Sequence, residues 1–255
     1  MRRWLGLIWI YTLVSATNAH GQYGSSEVVL DLSDHRISIT SSFTGTSLLL
    51  FGAIKSNFRN VDMIVVVRGP NEEVIARKKE RVGGIWINKD YVTFDNAPGF
   101  YTVFSTKPLE AITSQRILRR HRIGLGYINP RVTSMSRNFS QKELIYFRES
   151  LLRNRRRFAL YGERHDAISI IGNALFRSEI YFPAKVPTGA YTAEVYLVHN
   201  KQIISAQTTP LFVNKSGIER AIFNFANTQP IWYGVLAIVG ANLIGLGAAQ
   251  LFRKT

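Results

Sequence analysis

Between Arg220 and Arg253 the chain carries no Asp, Glu, Lys, Arg or His, and no other segment restricts its fold so severely. As a helix, residues 231–252 would rise about 33 Å, enough to cross a hydrocarbon layer of about 30 Å. The segment opens with Pro230 and the aromatic pair Trp232-Tyr233, which suits a membrane interface, and closes with the short basic end Arg253-Lys254. A buried helix of a soluble protein is the alternative; length and the lack of charge favour a transmembrane helix over 230–252. Within it Ala237, Ala241, Gly245 and Ala249 recur at four-residue steps. Such a stripe admits close helix–helix approach, and Asn242 beside it could add an interhelical hydrogen bond. This face is expected to pack against a second copy of the chain or another membrane helix.

The N-terminal residues point to the same membrane. Arg2-Arg3 precede an uncharged run over 4–14 and the small residues Ser15-Ala16-Thr17-Asn18-Ala19, the layout of a secretory signal over 1–19 with cleavage after Ala19 or Ala16. An uncleaved anchor is the alternative. Export would leave a body over 20–217 outside, a juxtamembrane segment over 218–229, and a cytoplasmic tail over 253–255. Ile218, Ile222 and Phe225 would share one face of a short interfacial helix in that juxtamembrane segment. The chain has no cysteine, which excludes disulfide scaffolds, zinc–thiolate sites and thiol catalysis. Its net charge of +15 falls only to about +11 once Arg2, Arg3, Arg253 and Lys254 are set aside. An exported domain does not meet nucleic acid, so lipid phosphate, small oxyanions or an acidic protein face are the expected partners.

The body reads as short strands over 27–32, 36–40, 47–54, 63–68, 73–81, 83–88, 91–94, 101–106, 175–182, 191–199 and 203–212. The run Ile64-Val65-Val66-Val67 predicts a central strand covered on both sides, whereas Ile75, Arg77, Lys79 and Arg81 predict a solvated edge. From 108 to about 161 the period turns helical. Ser140-Gln141-Lys142-Glu143 forms a capping box, followed by Leu144, Phe147, Leu151 and Phe158 on one face. Two turns echo each other, Pro98-Gly99-Phe100-Tyr101 and Pro187-Thr188-Gly189-Ala190-Tyr191. The expected fold is mainly β, an immunoglobulin-like sandwich with a helical insertion and one C-terminal transmembrane helix; two small β modules are the alternative.

The segments Asp62–Pro70 (residues 62–70), Gly84-Ile85-Trp86-Ile87-Asn88, Ala97-Pro98-Gly99-Phe100-Tyr101 and Gln229-Pro230-Ile231-Trp232-Tyr233-Gly234, taken together and in this order, resemble an alphaproteobacterial family of transmembrane proteins. The resemblance implies a signal peptide, a periplasmic body and one C-terminal span in the bacterial inner membrane. It also suggests an accessory role beside a sulfite-exporter-type anion permease of the TauE/SafE class. It transfers no functional residues.

No catalytic set, metal site or cofactor is expected. The five histidines are scattered, and Glu163-Arg164-His165-Asp166 reads as a solvated charged loop. No nucleophile elbow is present, and Gly124-Leu125-Gly126 lacks the rest of a dinucleotide fingerprint. The basic clusters carry the binding expectation: Arg77, Lys78, Lys79 and Arg81; Arg116, Arg119, Arg120 and Arg122; Arg153, Arg155, Arg156 and Arg157. Arginine prevails in the last two, which suits forked recognition of phosphate or carboxylate, including anionic lipid headgroups. The alternative is that all three are solvated faces. The expected function is a non-enzymatic membrane-anchored accessory protein, with an anion- or lipid-phosphate-binding module as the second reading.

Overall fold

A computed structural model describes residues 27–58, 60–135, 139–216 and 218–252; the expected signal, its cleavage site and the basic end at 253–254 lie outside them. In chain order the strands and helices are β1 (Glu27–Leu32), β2 (Arg36–Ile39), β3 (Gly45–Lys55), β4 (Asp62–Arg68), β5 (Asn71–Val82), β6 (Ile85–Pro98), β7 (Tyr101–Ser105), α1 (Leu109–Ile112), α2 (Gln115–His121), β8 (Arg131–Met135), α3 (Gln141–Arg157), β9 (Tyr161–His165), β10 (Ile168–Ile171), β11 (Leu175–Pro183), β12 (Gly189–His199), β13 (Gln202–Lys215), α4 (Ile218–Thr228) and α5 (Pro230–Phe252). A short 3-10 turn, Leu125–Tyr127, follows α2.

Three sheets form. The first has the order β1-β3-β11-β10, the second β2-β13-β12-β4-β7-β9, and the third β5-β6-β8. Strand alternation explains the first: Val28 and Leu32, then Leu48, Leu50 and Ile54, then Phe176, Ile180 and Phe182 are buried, while the residues between them are mostly exposed. The second sheet is covered on both faces, so Met63 to Val67 of β4 are buried without a break. One face meets the first sheet through Phe100, Phe182 and Tyr191, with ring centroids 5.1 Å apart for Phe100–Phe182 and 5.9 Å for Phe182–Tyr191. The other face lies under the α1–α2 segment, whose Leu109, Ile112, Leu118, Ile123 and Leu125 join the same core.

The echoed turns lead into β7 and β12, and both strands flank β4 in the second sheet. One core therefore contains strands from both halves of the chain, which rules out two separate β modules. The turns meet at one end of the sandwich: a Cβ on Gly99 would stand 2.9 Å from Pro187 Cγ and 2.6 Å from Glu72 Oε1, so that contact requires glycine.

The segment expected to be helical over 108–161 contains α1, α2 and α3 but also β8, which pairs with β6. α3 starts with the expected capping box: the Glu143 amide donates to Ser140 Oγ at 3.3 Å, and the Ser140 amide donates to Glu143 Oε2 at 3.0 Å. Phe147 and Leu151 pack on Val92 and Phe94 of β6, with Leu144 at the margin. Phe158 falls outside this face because it follows the helix as its C-cap; it stays 37% exposed with Lys185 Nζ 4.1 Å above its ring.

α4 and α5 adjoin at Gln229. The Gln229 amide donates to the Phe225 carbonyl and the Tyr233 amide to the Gln229 carbonyl, while Pro230 occupies the first position of α5, where its missing donor is not needed. Among the described residues α5 is the one helix long and apolar enough to cross a membrane, and none of its 230–249 stretch is buried by the rest of the chain.

Candidate functional site

The apolar run of β4 ends in a charge. Alternation places Arg68 on the same face as Ile64 and Val66, under the C-terminal end of α2, where a cavity of about 420 Å³ opens. The neighbouring strand β12 brings Glu194, aligned opposite Val66. Arg68 Nε lies 3.3 Å from both Glu194 carboxylate oxygens, and each side chain is 22% exposed. Arg68 Nη2 donates to the His121 carbonyl at 2.9 Å and the Arg122 carbonyl at 3.3 Å. A cation thus sits where a helix leaves its carbonyls unpaired. Arg122 makes this possible by adopting a left-handed conformation (φ 53°) as the cap of α2.

Two tyrosines complete the frame. The Tyr101 hydroxyl donates to the Arg122 carbonyl at 2.8 Å and accepts from the Gly124 amide at 2.9 Å, and the Arg68 guanidinium carbon stands 5.1 Å from the Tyr101 ring centre. The Tyr196 hydroxyl donates to Glu194 Oε2 at 2.8 Å, with His121 edge-on to its ring at 5.6 Å. Burial pushes the Tyr101 phenol up to about 12, opposed by Arg68. Burial also raises Tyr196, and the Glu194 carboxylate adds to the effect.

With Arg68 matched by Glu194, the cations left over at the cavity are the exposed Arg120 and Arg122, accompanied by Asn71, Asn96 and Asn129. Two guanidinium forks and three amides around a small hollow suit an oxyanion or carboxylate better than an apolar ligand. Arg116 and Arg119, from the same sequence cluster, are exposed on α2 outside the cavity. In the third cluster Arg153, Arg156 and Arg157 are exposed at the end of α3, Arg153 donating to Ser150 Oγ. Arg155 is committed elsewhere: its side chain is 13% exposed and pairs with Glu72 at 2.8 Å, fastening α3 to β5. None of Arg68, Glu194, Tyr101 and Tyr196 was singled out from sequence as a site residue; the available signal was an arginine closing the apolar run Met63 to Val67.

Glu163-Arg164-His165 is an edge strand, β9, parallel to β7, rather than a loop. Glu163 Oε2 accepts the Leu125 amide and His165 Nδ1 meets Ser105 Oγ at 3.0 Å, so both groups hold the fold together. His35 bridges the Pro210 carbonyl and Asp31, which raise its pKa in that order, and His199 stacks on Phe58 at 4.1 Å. Among the described residues no three His, Asp or Glu side chains converge as a metal site.

On α5 the residues Ala237, Ala241, Gly245 and Ala249 are exposed, as are Leu243, Ile244 and Leu246. Asn242 Nδ2 donates to the Ile238 carbonyl of its own helix at 2.8 Å, which occupies one of its amide hydrogens and leaves the other amide valences open.

A mainly β body followed, among the described residues, by one exposed apolar helix of membrane-spanning length defines a class, proteins with a candidate C-terminal membrane span. A family model described as "Putative transmembrane protein (Alph_Pro_TM)" matches residues 27–254, and the chain belongs to that family. No curated protein matches it. No solved structure matches it either.

Proposed function

We propose that this chain is a non-enzymatic accessory or assembly protein of the bacterial inner membrane, with its body in the periplasm and its C-terminal end in the cytoplasm, acting on a membrane partner held through α5. The observation that carries this reading is that α5 buries none of its 230–249 stretch on its own body. A helix used only as a tether needs no particular surface. This one has small residues at 237, 241, 245 and 249 along one side, where another helix could approach closely. The family resemblance suggests a sulfite-exporter-type anion permease as the partner; a second copy of the chain would use the same face.

The test is purification of the full chain in mild detergent at native expression level, with mass spectrometry of what accompanies it. In a variant carrying Ala241→Leu and Gly245→Leu, recovery of the partner should fall at least tenfold while the amount of chain in the membrane is unchanged. Equal recovery from both proteins would remove the span from any role beyond anchoring.

The cavity beneath α2 favours a second reading, a periplasmic anion-binding module. Arg120 and Arg122 supply charge that no neighbouring carboxylate at the cavity offsets, since its glutamate is engaged by Arg68. A bound oxyanion at a hundredfold excess over its Kd would stabilise the body by about 2.7 kcal/mol. Thermal shift with sulfate, sulfite and phosphate should therefore show a rise that Arg120→Ser with Arg122→Ser abolishes; a rise that survives both changes places the anion elsewhere.

A further inference from the structure

The longest hairpin in the body extends beyond the sheet that carries it. Among the described residues β8 pairs with β6 only from Val92 to Asp95, and residues 79–82 and 85–88 have no strand partner there except each other. Four residue pairs at about 3.3 Å each make a two-stranded ribbon about 13 Å long. Gly83 and Gly84 close it with φ of 58° and 87°, the pair of positive angles that a tight two-residue turn needs. A ribbon of this kind is marginal by itself in water, yet its tip is apolar: Val82 is 50% exposed, Ile85 69%, Trp86 65% and Ile87 43%.

The register arranges these groups by face. A bulge at Lys78/Lys79 sets Lys79 opposite Asn88 and Arg81 opposite Trp86; below it Arg77 stands opposite Tyr91. One outward face therefore sets Arg77, Lys79 and Arg81 of β5 beside Tyr91, Asn88 and Trp86 of β6, while Val82, Ile85 and Ile87 lie on the other face at the tip, with Glu80 opposite Ile87. Over 77–89 there are Arg77, Lys78, Lys79, Arg81 and Lys89 against the single acid Glu80, which pairs with Lys89 at 2.9 Å. An apolar end flanked by aromatic rings and excess positive charge matches the layers of an anionic bilayer surface, with acyl chains below and phosphates above. It is a poor match for an acidic protein face, which would leave Ile85 and Ile87 in water. Membrane is also the one surface to which α5 ties the body.

We propose that the β5–β6 hairpin docks on an anionic lipid surface, its Val82–Ile87 tip entering the interface and Arg77, Lys79 and Arg81 meeting lipid phosphates. The proposal rests on α5 as a membrane span and is independent of any accessory role. Docking gives the body a second attachment and so fixes its orientation on the bilayer.

Because α5 holds the chain in any bilayer, co-sedimentation cannot read the hairpin, and a local probe is needed. The chain has no cysteine, so Ile85→Cys and, as a control on exposed β10, Ser169→Cys each carry one environment-sensitive dye on the full chain. Both are reconstituted in nanodiscs of phosphatidylcholine with phosphatidylglycerol, with spin-labelled lipid as quencher. Incorporation into discs reports α5 separately from quenching, which reports the hairpin. At position 85 quenching should exceed that at 169 at least threefold, and Arg77→Ser, Lys79→Ser and Arg81→Ser together should bring it down to the control. All these positions are exposed, so the variants keep the core intact. Equal weak quenching at 85 and 169 overturns the proposal, and quenching as strong in purely zwitterionic discs overturns its anionic part. Shielding of the dye from water without quenching by lipid, with cross-links between copies, replaces the bilayer by a second copy as the occupant.

Discussion

Arg68→Ala is expected to cost the body about 3 kcal/mol, more than loss of both Arg120 and Arg122, because it strands a carboxylate. In the native protein Glu194 faces Arg68 Nε, and the His121 and Arg122 carbonyls face Nη2. Removing the guanidinium leaves one acid with only the Tyr196 hydroxyl and takes a donor from the His121 and Arg122 carbonyls at the end of α2. The full penalty of a broken buried pair is about 3–5 kcal/mol, and 22% exposure of both side chains places this case at the lower end. For a body of this size the melting temperature should fall by roughly 6–12 °C. Arg120 and Arg122 are exposed, and their joint replacement should stay within about 1 kcal/mol. Arg68→Met with Glu194→Leu should recover most of the loss, since neither charge is then left unpaired. Denaturant unfolding of the solubilised chain measures all of these; an Arg68→Ala cost below about 0.5 kcal/mol would mean that Glu194 is hydrated in the native state.

This pair also shows where the sequence stops being informative. Arg68 and Glu194 are 126 residues apart, and only the pairing of β4 with β12 joins them. Local pattern shows which residues alternate and leaves open which strands adjoin. The long strands were legible because burial on one or both faces imposes a hydrophobic pattern, as in Met63 to Val67 and Phe176 to Phe182. β9 was not, since Gly162, Glu163, Arg164 and His165 serve an edge strand whose pairing is through backbone groups. β8 and β10 are only five and four residues long and lack a repeat long enough to register. The parallel pairs β2·β13 and β7·β9 link segments separated by long stretches of chain, so no turn signal announces them.

The candidate site divides in the same way. Arg120 and Arg122 stood out as part of a run of cations, but the run gave no reason to separate them from Arg116 and Arg119. The separation comes from α2 ending at Arg122, whose left-handed cap turns that end of the helix over the cavity. Arg155 looked equivalent to Arg153, Arg156 and Arg157 until Glu72, on a strand far earlier in the chain, claimed it. Conversely, the extent of α5 was legible because an apolar helix of membrane-spanning length is specified by its own residues alone.

Between pH 10 and 12 the body is expected to lose its fold in one cooperative step driven by buried tyrosines. Tyr101, Tyr161, Tyr191 and Tyr196 are each at most 8% exposed, and burial raises the pKa of every one. Their hydroxyls are held by fixed acceptors: the Arg122 carbonyl for Tyr101, the Pro98 carbonyl for Tyr161, the Pro187 carbonyl for Tyr191 and Glu194 for Tyr196. In the unfolded chain these phenols ionise near 10. The native state keeps its protons to higher pH, so below 10 the two states bind equally many and stability is at its full value. Above 10 the unfolded state binds fewer, and stability falls with each further unit. Tyr101, held to about 12, by itself accounts for about 3 kcal/mol over that range. The other three shift in the same direction, and the joint loss is comparable with the about 5–15 kcal/mol that holds a domain together. The near-ultraviolet absorbance of tyrosinate from these four residues should therefore appear together with loss of the far-ultraviolet circular dichroism of the sheets. Tyr101→Phe should shift the transition to higher pH while costing about 1–2 kcal/mol at neutral pH, where it removes the bridge between the Arg122 carbonyl and the Gly124 amide. Complete, reversible ionisation of all the tyrosines near 10 with the sheet signal intact would show that water reaches these hydroxyls in the folded protein, and that the interior between β4, β7 and β12 is looser than its packing.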